Sequence, residues 1–170
     1  DASFLYQESA VSQMQGGLVF FLQGELSFDK LFHHIRGRLH VTPRFRQRLV
    51  FAPLNIAHPT LEDDPDFKLE NHVQRRALPA DLDEAGAVHE VLRYNSSRLL
   101  DRTRPLWCVT LFEGLAGRSL VLWEMHHAIV DGVSTFDLLN KTMDFTPHPP
   151  RAEPAAPWNP APLPTAQEVY

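Results

Sequence analysis

The chain has 170 residues, of which 44% are hydrophobic and 22% are charged, and its formal net charge is −5. This composition is typical of one folded globular domain and provides no general attraction to nucleic acid. A single cysteine excludes an internal disulfide and fits a reducing compartment. No apolar run reaches the ~20 residues of a membrane-spanning helix, and no signal-peptide pattern opens the chain, so we expect a cytoplasmic location.

The first part of the chain predicts a short docked segment, a strand and a helix. The apolar run at residues 18–22 lies between glycines and predicts a central strand that is covered on both faces. Ser27 is a plausible cap for the helix that follows, whose apolar residues repeat at helical spacing. His33 and His34 lie on its polar side and are predicted to be at the surface.

The next segment predicts a half-exposed strand at residues 44–51, where basic or polar side chains alternate with apolar ones. The alternation would place Arg44, Arg46 and Arg48 on one face. Solvated charges explain them most simply, and the alternative is contact with a phosphate group of a ligand or of a membrane.

Prolines and acids at residues 53–65 predict an irregular loop, and residues 67–78 predict another strand. His72 lies inside that strand, where a lone histidine is more often a hydrogen-bonded structural residue than a catalyst.

The second half predicts a helix over residues 84–100, a hairpin of strands at 106–112 and 120–125, and a helix from Ser134 to Asp144. The inward face of the helix over residues 84–100 is predicted to hold four apolar residues, namely Val88, Val91, Leu92 and Leu99. The complete order is β-α-β-β-α-β-β-α, which places the chain in the α/β (α+β) class with a mixed sheet flanked by helices.

The composition changes after Pro147. Seven prolines fall between residues 148 and 164, with few large apolar side chains. Such a segment is typical of a stiff, extended linker. We therefore expect a folded domain over residues 1–147 and a proline-rich linker over 148–170 that leads to a further unit.

The chemistry of the chain concentrates at residues 126–132. His126 and His127 leave the end of a predicted strand, Asp131 lies where the chain must turn, and Gly132 tolerates a positive φ. Because successive strand side chains point to opposite faces, one histidine should face a cavity and the other the packed side. A neutral imidazole in a cleft is well suited to accept a proton from an alcohol or amine near pH 7.

Two other interpretations of the paired histidines stay open. A metal site would use the same residue types, but helical His spacing is absent and Cys108 is remote in sequence. An ordinary strand-end pair is the simpler alternative. The second pair, His33–His34, has no Asp-Gly behind it, which makes the pair before Asp131–Gly132 the stronger signal.

This motif resembles the HHxxxDG motif of the CoA-dependent acyltransferase superfamily. Further segments are similar to the bacterial wax ester synthase/diacylglycerol acyltransferase family, and the resemblance runs to about Pro147. Those segments are Asp1-Ala2-Ser3-Phe4-Leu5, Pro43-Arg44-Phe45-Arg46-Gln47-Arg48-Leu49, Asp66-Phe67 with His72-Val73, and Leu100-Asp101-Arg102 with Arg104-Pro105-Leu106-Trp107.

The resemblance implies a chloramphenicol acetyltransferase-like half, namely the N-terminal one. It implies acyl transfer from acyl-CoA, as co-substrate, to a long-chain alcohol or a diacylglycerol, with no bound cofactor and no metal. His127 would be the general base, while His126, Asp131 and Gly132 would support the motif structurally. The implied partner is a C-terminal half of the same enzyme, continuous or nicked.

Two rival functions stay open. One is a condensation-type acyltransferase with a carrier-protein thioester donor and an amine acceptor, and the other is a non-catalytic binding half-domain. Apolar substrates also suggest peripheral contact with the inner membrane or with lipid droplets. Trp107 is expected to be a core or channel-wall residue, and Cys108 is expected inside a strand.

Overall fold

A computed structural model describes residues 2–130, 132–144 and 157–163. The helices and strands of these ranges follow the chain in the order α1 (Ala2–Gln7), β1 (Gln15–Gln23), α2 (Phe28–Arg38), β2 (Gln47–Val50), β3 (Thr60–Asp63), β4 (Val73–Ala77), α3 (Glu84–Ser96), β5 (Trp107–Glu113), β6 (Arg118–His126) and α4 (Gly132–Thr142). Within the described residues, no helix is both long enough and apolar enough to cross a bilayer.

Four strands form a mixed sheet in the order β1-β6-β5-β4. The β1–β6 and β5–β6 pairs are antiparallel, whereas β4 and β5 are parallel. Strands β2 and β3 form a separate antiparallel pair. This mixed sheet with flanking helices confirms the predicted α+β class.

The alternating side chains of β6 divide the core into two layers. Val121, Trp123 and Met125 join the larger cluster, which includes apolar residues of α2 and α4. Leu120 and Leu122 point the other way, into a smaller cluster with residues of α3. Because both faces of β6 are buried, this strand reads as a continuous apolar run instead of an alternating one.

Several predicted elements are confirmed. Ser27 caps α2, since its Oγ accepts a hydrogen bond from the Lys30 N–H at 3.3 Å. The hairpin is present as β5 and β6. The last helix begins at Gly132, two residues before the predicted Ser134. The segment at 2–7 is a short helix, α1, and lies outside the predicted element order.

The prediction of a central strand at residues 18–22 is wrong. In the described sheet β1 pairs with β6 alone and therefore lies at an edge. Leu18, Phe21 and Leu22 are 36%, 39% and 38% exposed. An apolar run predicts a strand that is buried on both faces, but apolar residues can also form an exposed surface that binds a ligand or partner.

The prediction of one basic strand face at residues 44–51 is also wrong. Residues Pro43–Arg46 form a 3₁₀ turn, so only Gln47–Val50 is a strand. The arginines consequently diverge. Arg44 Nη1 donates to the Ile129 carbonyl at 2.9 Å, Arg46 is buried with its guanidinium 3.7 Å from the Trp158 ring centre, and Arg48 lies 3.8 Å from Asp64.

Two further boundaries differ from the prediction. The expected loop at residues 53–65 contains β3. Helix α3 ends at Ser96 instead of residue 100, because Gln15 Nε2 binds the Asn95 and Arg98 carbonyls and holds the chain in a non-helical path there. Leu92, which lies within α3, and Leu99, which lies beyond its end, are exposed instead of facing inward.

The proline-rich region is described only in part. Residues 157–163 contain no helix or strand, and the Ala161 N–H donates to Asp63 Oδ2 at 2.9 Å. The predicted boundary at residue 147 lies outside the described residues, as do residues 145–156 and 164–170. The division into domain and linker therefore stays a prediction.

Candidate active site

The motif begins at the last residue of β6 and continues into a tight turn. The imidazole Nδ1 of His126 accepts a hydrogen bond from the Ala128 N–H at 2.9 Å. The His126 carbonyl accepts another from the Ile129 N–H at 3.0 Å. The histidine thus satisfies two backbone donors of the turn that follows it, which fixes the path of the chain into α4.

His126 is 1% exposed. Because its Nδ1 is an acceptor, the neutral ring carries its proton on Nε2. This nitrogen lies 3.2 Å from Glu8 Oε1. Burial lowers the pKa of His126 below its ordinary value, although the Glu8 carboxylate opposes this effect. The histidine is accordingly a neutral anchor of the turn and is closed to solvent.

Glu8 connects this anchor to Arg102. Its Oε2 accepts hydrogen bonds from Arg102 Nε at 3.1 Å and Nη2 at 2.8 Å, and its Oε1 accepts the Met14 N–H at 3.2 Å. Burial raises the pKa of Glu8, but these bonds and the positive charge of Arg102 outweigh it, so the pKa lies below its ordinary value. Arg102 Nη2 also donates to the Leu5 carbonyl at 2.8 Å.

The segment after Arg102 supports the same strand end. The Leu106 carbonyl accepts the His126 N–H at 3.0 Å. Trp107 is 1% exposed, and its Nε1 donates to the Phe45 carbonyl at 2.8 Å. Its ring stacks on Phe45 and His72, with centroid distances of 4.5 and 4.7 Å. Trp107 is therefore a core residue.

His72 is likewise structural. Its Nδ1 donates to the Trp107 carbonyl at 2.9 Å, and burial lowers its pKa below the ordinary value.

His127 has the opposite environment. It is exposed, and its backbone N–H donates to the Met14 carbonyl at 2.9 Å. Its ring lies 5.4 Å from that of Phe4, and a Cβ placed on Gly16 would lie 3.7 Å from its Nε2. Among the described residues, no hydrogen bond engages either ring nitrogen. The two neighbouring histidines thus face different surroundings, as strand alternation predicts.

The rest of the motif is only partly visible. Asp131 lies outside the described residues, and Gly132 is the first residue of α4. Cys108 is buried in β5, and burial raises the pKa of its thiol. Within residues 2–130, 132–144 and 157–163, no three His, Cys, Asp or Glu side chains are grouped so that they could hold a metal ion.

The sequence matches the family model described as wax ester synthase/diacylglycerol acyltransferase catalytic domain, over residues 1–169. The chain belongs to this family. A probable diacylglycerol O-acyltransferase of Mycobacterium tuberculosis, tgs3, is 35% identical over 154 residues, which are 88% of this chain and 56% of that relative. A putative diacylglycerol O-acyltransferase of the same organism, Rv3087, is 37% identical over 84% of this chain and 30% of its own length.

Solved structures show the same fold. The wax ester synthase/diacylglycerol acyltransferase from Marinobacter aquaeolei VT8 aligns with a TM-score of 0.73 and 26% identity, over 89% of this chain and 38% of that one. The first condensation domain of the calcium-dependent antibiotic synthetase aligns with a TM-score of 0.61 and 18% identity, over 83% of this chain and 34% of that one, which is a likeness of fold alone. This chain spans about half or less of each protein named here.

Three residues at this site were not predicted from the sequence. Glu8 and Arg102 are 94 positions apart, and nothing in their local patterns joins them. Gly16 precedes the apolar run at residues 18–22, and no sequence pattern assigns it a role at the site. Its missing side chain leaves space beside His127, and that space depends on the pairing of Gln15 with His126 in the sheet.

A second buried ion pair lies on the His126 face of β6. Glu124 is fully buried and contacts Arg98, whose side chain is 29% exposed. Burial raises the pKa of Glu124 to about 7, although the arginine opposes this effect. The pair supports the sheet behind the motif, and its charge state depends on pH near neutrality.

Proposed function

We propose that this chain supplies the general base of an O-acyltransferase that moves a fatty acyl group from acyl-CoA to a long-chain alcohol or a diacylglycerol. The observation that supports this proposal is the contrast within the motif. His126 is buried, neutral and bonded into the turn, whereas His127 is exposed beside a glycine, and no described residue bonds either of its ring nitrogens. A base must reach the proton that it removes, and only His127 of the two can do so.

In the proposed reaction the acceptor oxygen displaces CoA from the thioester, and the reaction includes two proton transfers. An imidazole nitrogen of His127 accepts the proton of the acceptor hydroxyl while the hydroxyl oxygen forms a bond to the thioester carbonyl carbon. The carbon–sulfur bond then breaks, and the CoA thiolate leaves and takes up the proton from the imidazolium. The products are a wax ester or a triacylglycerol and free CoA, without an acyl-enzyme, a metal or a bound cofactor.

A second half of the enzyme is proposed to close the site. General-base catalysis requires acceptor and thioester at reacting distance, and a dry site strengthens polar interactions with the transition state. His127 is open to solvent, and the neighbouring edge strand exposes Leu18 and Leu22. A facing domain would cover both features.

Peripheral contact with a lipid surface also stays a proposal, and it rests on the apolar substrates. The arginines that had suggested a basic patch do not form one. Arg46 is buried against Trp158, and Arg48 lies beside Asp64.

The test uses the purified full-length protein with palmitoyl-CoA. Hexadecanol and dipalmitoylglycerol are offered separately as acceptors, while CoA release and product are measured. In a parallel reaction, a palmitoyl thioester on a carrier protein replaces palmitoyl-CoA and an amine is the acceptor. We expect ester formation with one or both hydroxyl acceptors, unchanged after dialysis against a chelator. Amide formation from a carrier-bound thioester alone would favour the condensation-type reaction, and no turnover with any pair would contradict the proposal.

A further inference from the structure

One face of β1 leads away from His127. Alternate strand residues share a face, so Gly16, Leu18, Phe20 and Leu22 point to the same side of the sheet. Gly16 faces the His127 ring, while Phe20 and Leu22 line a cavity against α2. The intervening residue, Leu18, is 36% exposed. These four residues form a continuous strip, which we call the β1 strip, from the imidazole to the cavity.

The cavity at the far end of the β1 strip has a volume of about 330 Å³. Its walls come from the sheet and from α2 and are mainly apolar, with Lys30, His34 and Asp144 as the charged or polar members. Trp123 forms part of the wall, and its indole N–H is buried without an acceptor among the described residues. An apolar cavity of this size is within the range of small-molecule sites, about 300–1,000 Å³.

The spacing along β1 fits an extended hydrocarbon chain. Phe20 lies four positions after Gly16, which is roughly 13 Å at the rise of a strand. Each carbon–carbon bond of an extended alkyl chain advances a little more than an ångström. A molecule with its polar end at His127 would therefore reach the cavity after roughly ten carbons.

We propose that the β1 strip and its cavity hold the hydrocarbon chain of the acceptor, a long-chain alcohol or one chain of a diacylglycerol. This inference rests on the proposed function. The acceptor is favoured over the acyl donor because its hydroxyl must lie within hydrogen-bond distance of the base. The space beside Nε2 is the one that Gly16 leaves open, so the carbon chain attached to that hydroxyl starts on the strip.

The experiment compares two tryptophan substitutions on neighbouring residues of β1 in the full-length protein. Leu22→Trp fills the cavity. Phe21→Trp is the matched control, because Phe21 has the same exposure and points to the opposite face of the sheet. Linear alcohols of six to eighteen carbons are tested with palmitoyl-CoA, and acyl-CoAs of eight to eighteen carbons with hexadecanol. Thermal melts establish that both variants are folded.

We expect Leu22→Trp to lower kcat/KM for hexadecanol at least tenfold more than for octanol, since several methylenes lose an apolar site at about 0.8 kcal/mol each. The acyl-CoA profile should not change, and Phe21→Trp should leave both profiles as they are. Leu18→Asp, which places a charge midway on the strip, should also penalise long alcohols more than hexanol.

The outcomes separate the two proposals. A wild-type enzyme that acylates no alcohol or diacylglycerol contradicts the proposed function itself. An active enzyme whose alcohol profile is unchanged in Leu22→Trp and Leu18→Asp overturns the inference about the β1 strip. A changed acyl-CoA profile with an unchanged alcohol profile also overturns it, because the cavity would then hold the donor chain.

Discussion

The chain contains two His-His pairs, and their surroundings differ. In α2, His33 is exposed and bonds the Asp29 carbonyl of its own helix, while His34 is half-buried and joins α2 to the end of α4. His34 was predicted to lie at the surface, and its contact with the Thr142 carbonyl corrects this. The pair at the end of β6 instead has a fully buried member, His126, and an exposed one, His127.

The difference lies in what the second histidine of each pair can do. His34 Nε2 donates to the Thr142 carbonyl, and its Nδ1 accepts from Arg38, so both nitrogens are occupied. His127 is held through its backbone, and no hydrogen bond to a described residue engages its ring nitrogens. A histidine is a candidate base when the backbone fixes its position and its ring nitrogens make no structural hydrogen bonds.

The largest expected effect tests this difference directly. His127→Ala should lower kcat about 10²–10⁴-fold with little change in Tm, because it removes only the proposed general base. His33→Ala is the matched control on an exposed histidine and should leave turnover unchanged. Steady-state kinetics beside thermal melts measure both quantities, and a fully active His127→Ala enzyme would refute the assignment.

Local patterns predicted the motif well and its support poorly. Strand, turn and helix around His126 and His127 follow from residues within about fifteen positions, and the different environments of the two follow from alternation. The anchor behind them does not, because Glu8 and Arg102 meet only after α1 docks beside the strand end. Distant pairs of this kind leave no periodic signal in a single sequence.

The next effect concerns pH and tests the buried face of β6 against the partly exposed His33–His34 pair. The pKa of Glu124 is raised to about 7, whereas an unfolded glutamate titrates near 4.5. Between these values the unfolded chain releases a proton that the folded chain keeps. This carboxyl therefore contributes stability below about pH 4.5, and that contribution is lost as the pH rises to about 7.

Glu124→Gln should remove that dependence. The free energy of unfolding of the variant relative to wild type should rise by up to about 3 kcal/mol from pH 4.5 to pH 8. Urea unfolding at a series of pH values measures it. Parallel pH profiles of the two proteins would mean that Glu124 titrates normally.

A smaller effect is expected at Glu8. Glu8→Gln keeps the shape of the side chain but weakens the link between Arg102 and His126, and should lower the free energy of unfolding by about 2 kcal/mol. Glu90→Gln is the matched control, since it breaks a glutamate–arginine pair on the surface of α3, and it should have little effect. Equal losses in the two variants would show that burial adds nothing to the His126 anchor.

The elements that sequence reasoning misplaced share a physical cause. The run at residues 18–22 is apolar enough for a central strand, yet β1 lies at an edge of the described sheet. Residues 44–51 alternate as a strand would, yet Pro43 starts a 3₁₀ turn that rotates Arg44 toward Ile129. Alternation and apolarity describe the preference of a segment, whereas the neighbours that it meets decide its final position.

The smallest effect is expected at the α2 pair. Asp144 contacts Arg38 and lies 3.6 Å from His34 Nδ1, and all three side chains are partly exposed. Solvent screens such charges, so Asp144→Asn should lower the free energy of unfolding by only about 0.5–1 kcal/mol, and less in added salt. Chemical unfolding at low and high ionic strength measures this. A loss above about 2 kcal/mol, insensitive to salt, would make the His34 cluster a structural anchor equal to that of His126 and would remove the contrast between the two pairs.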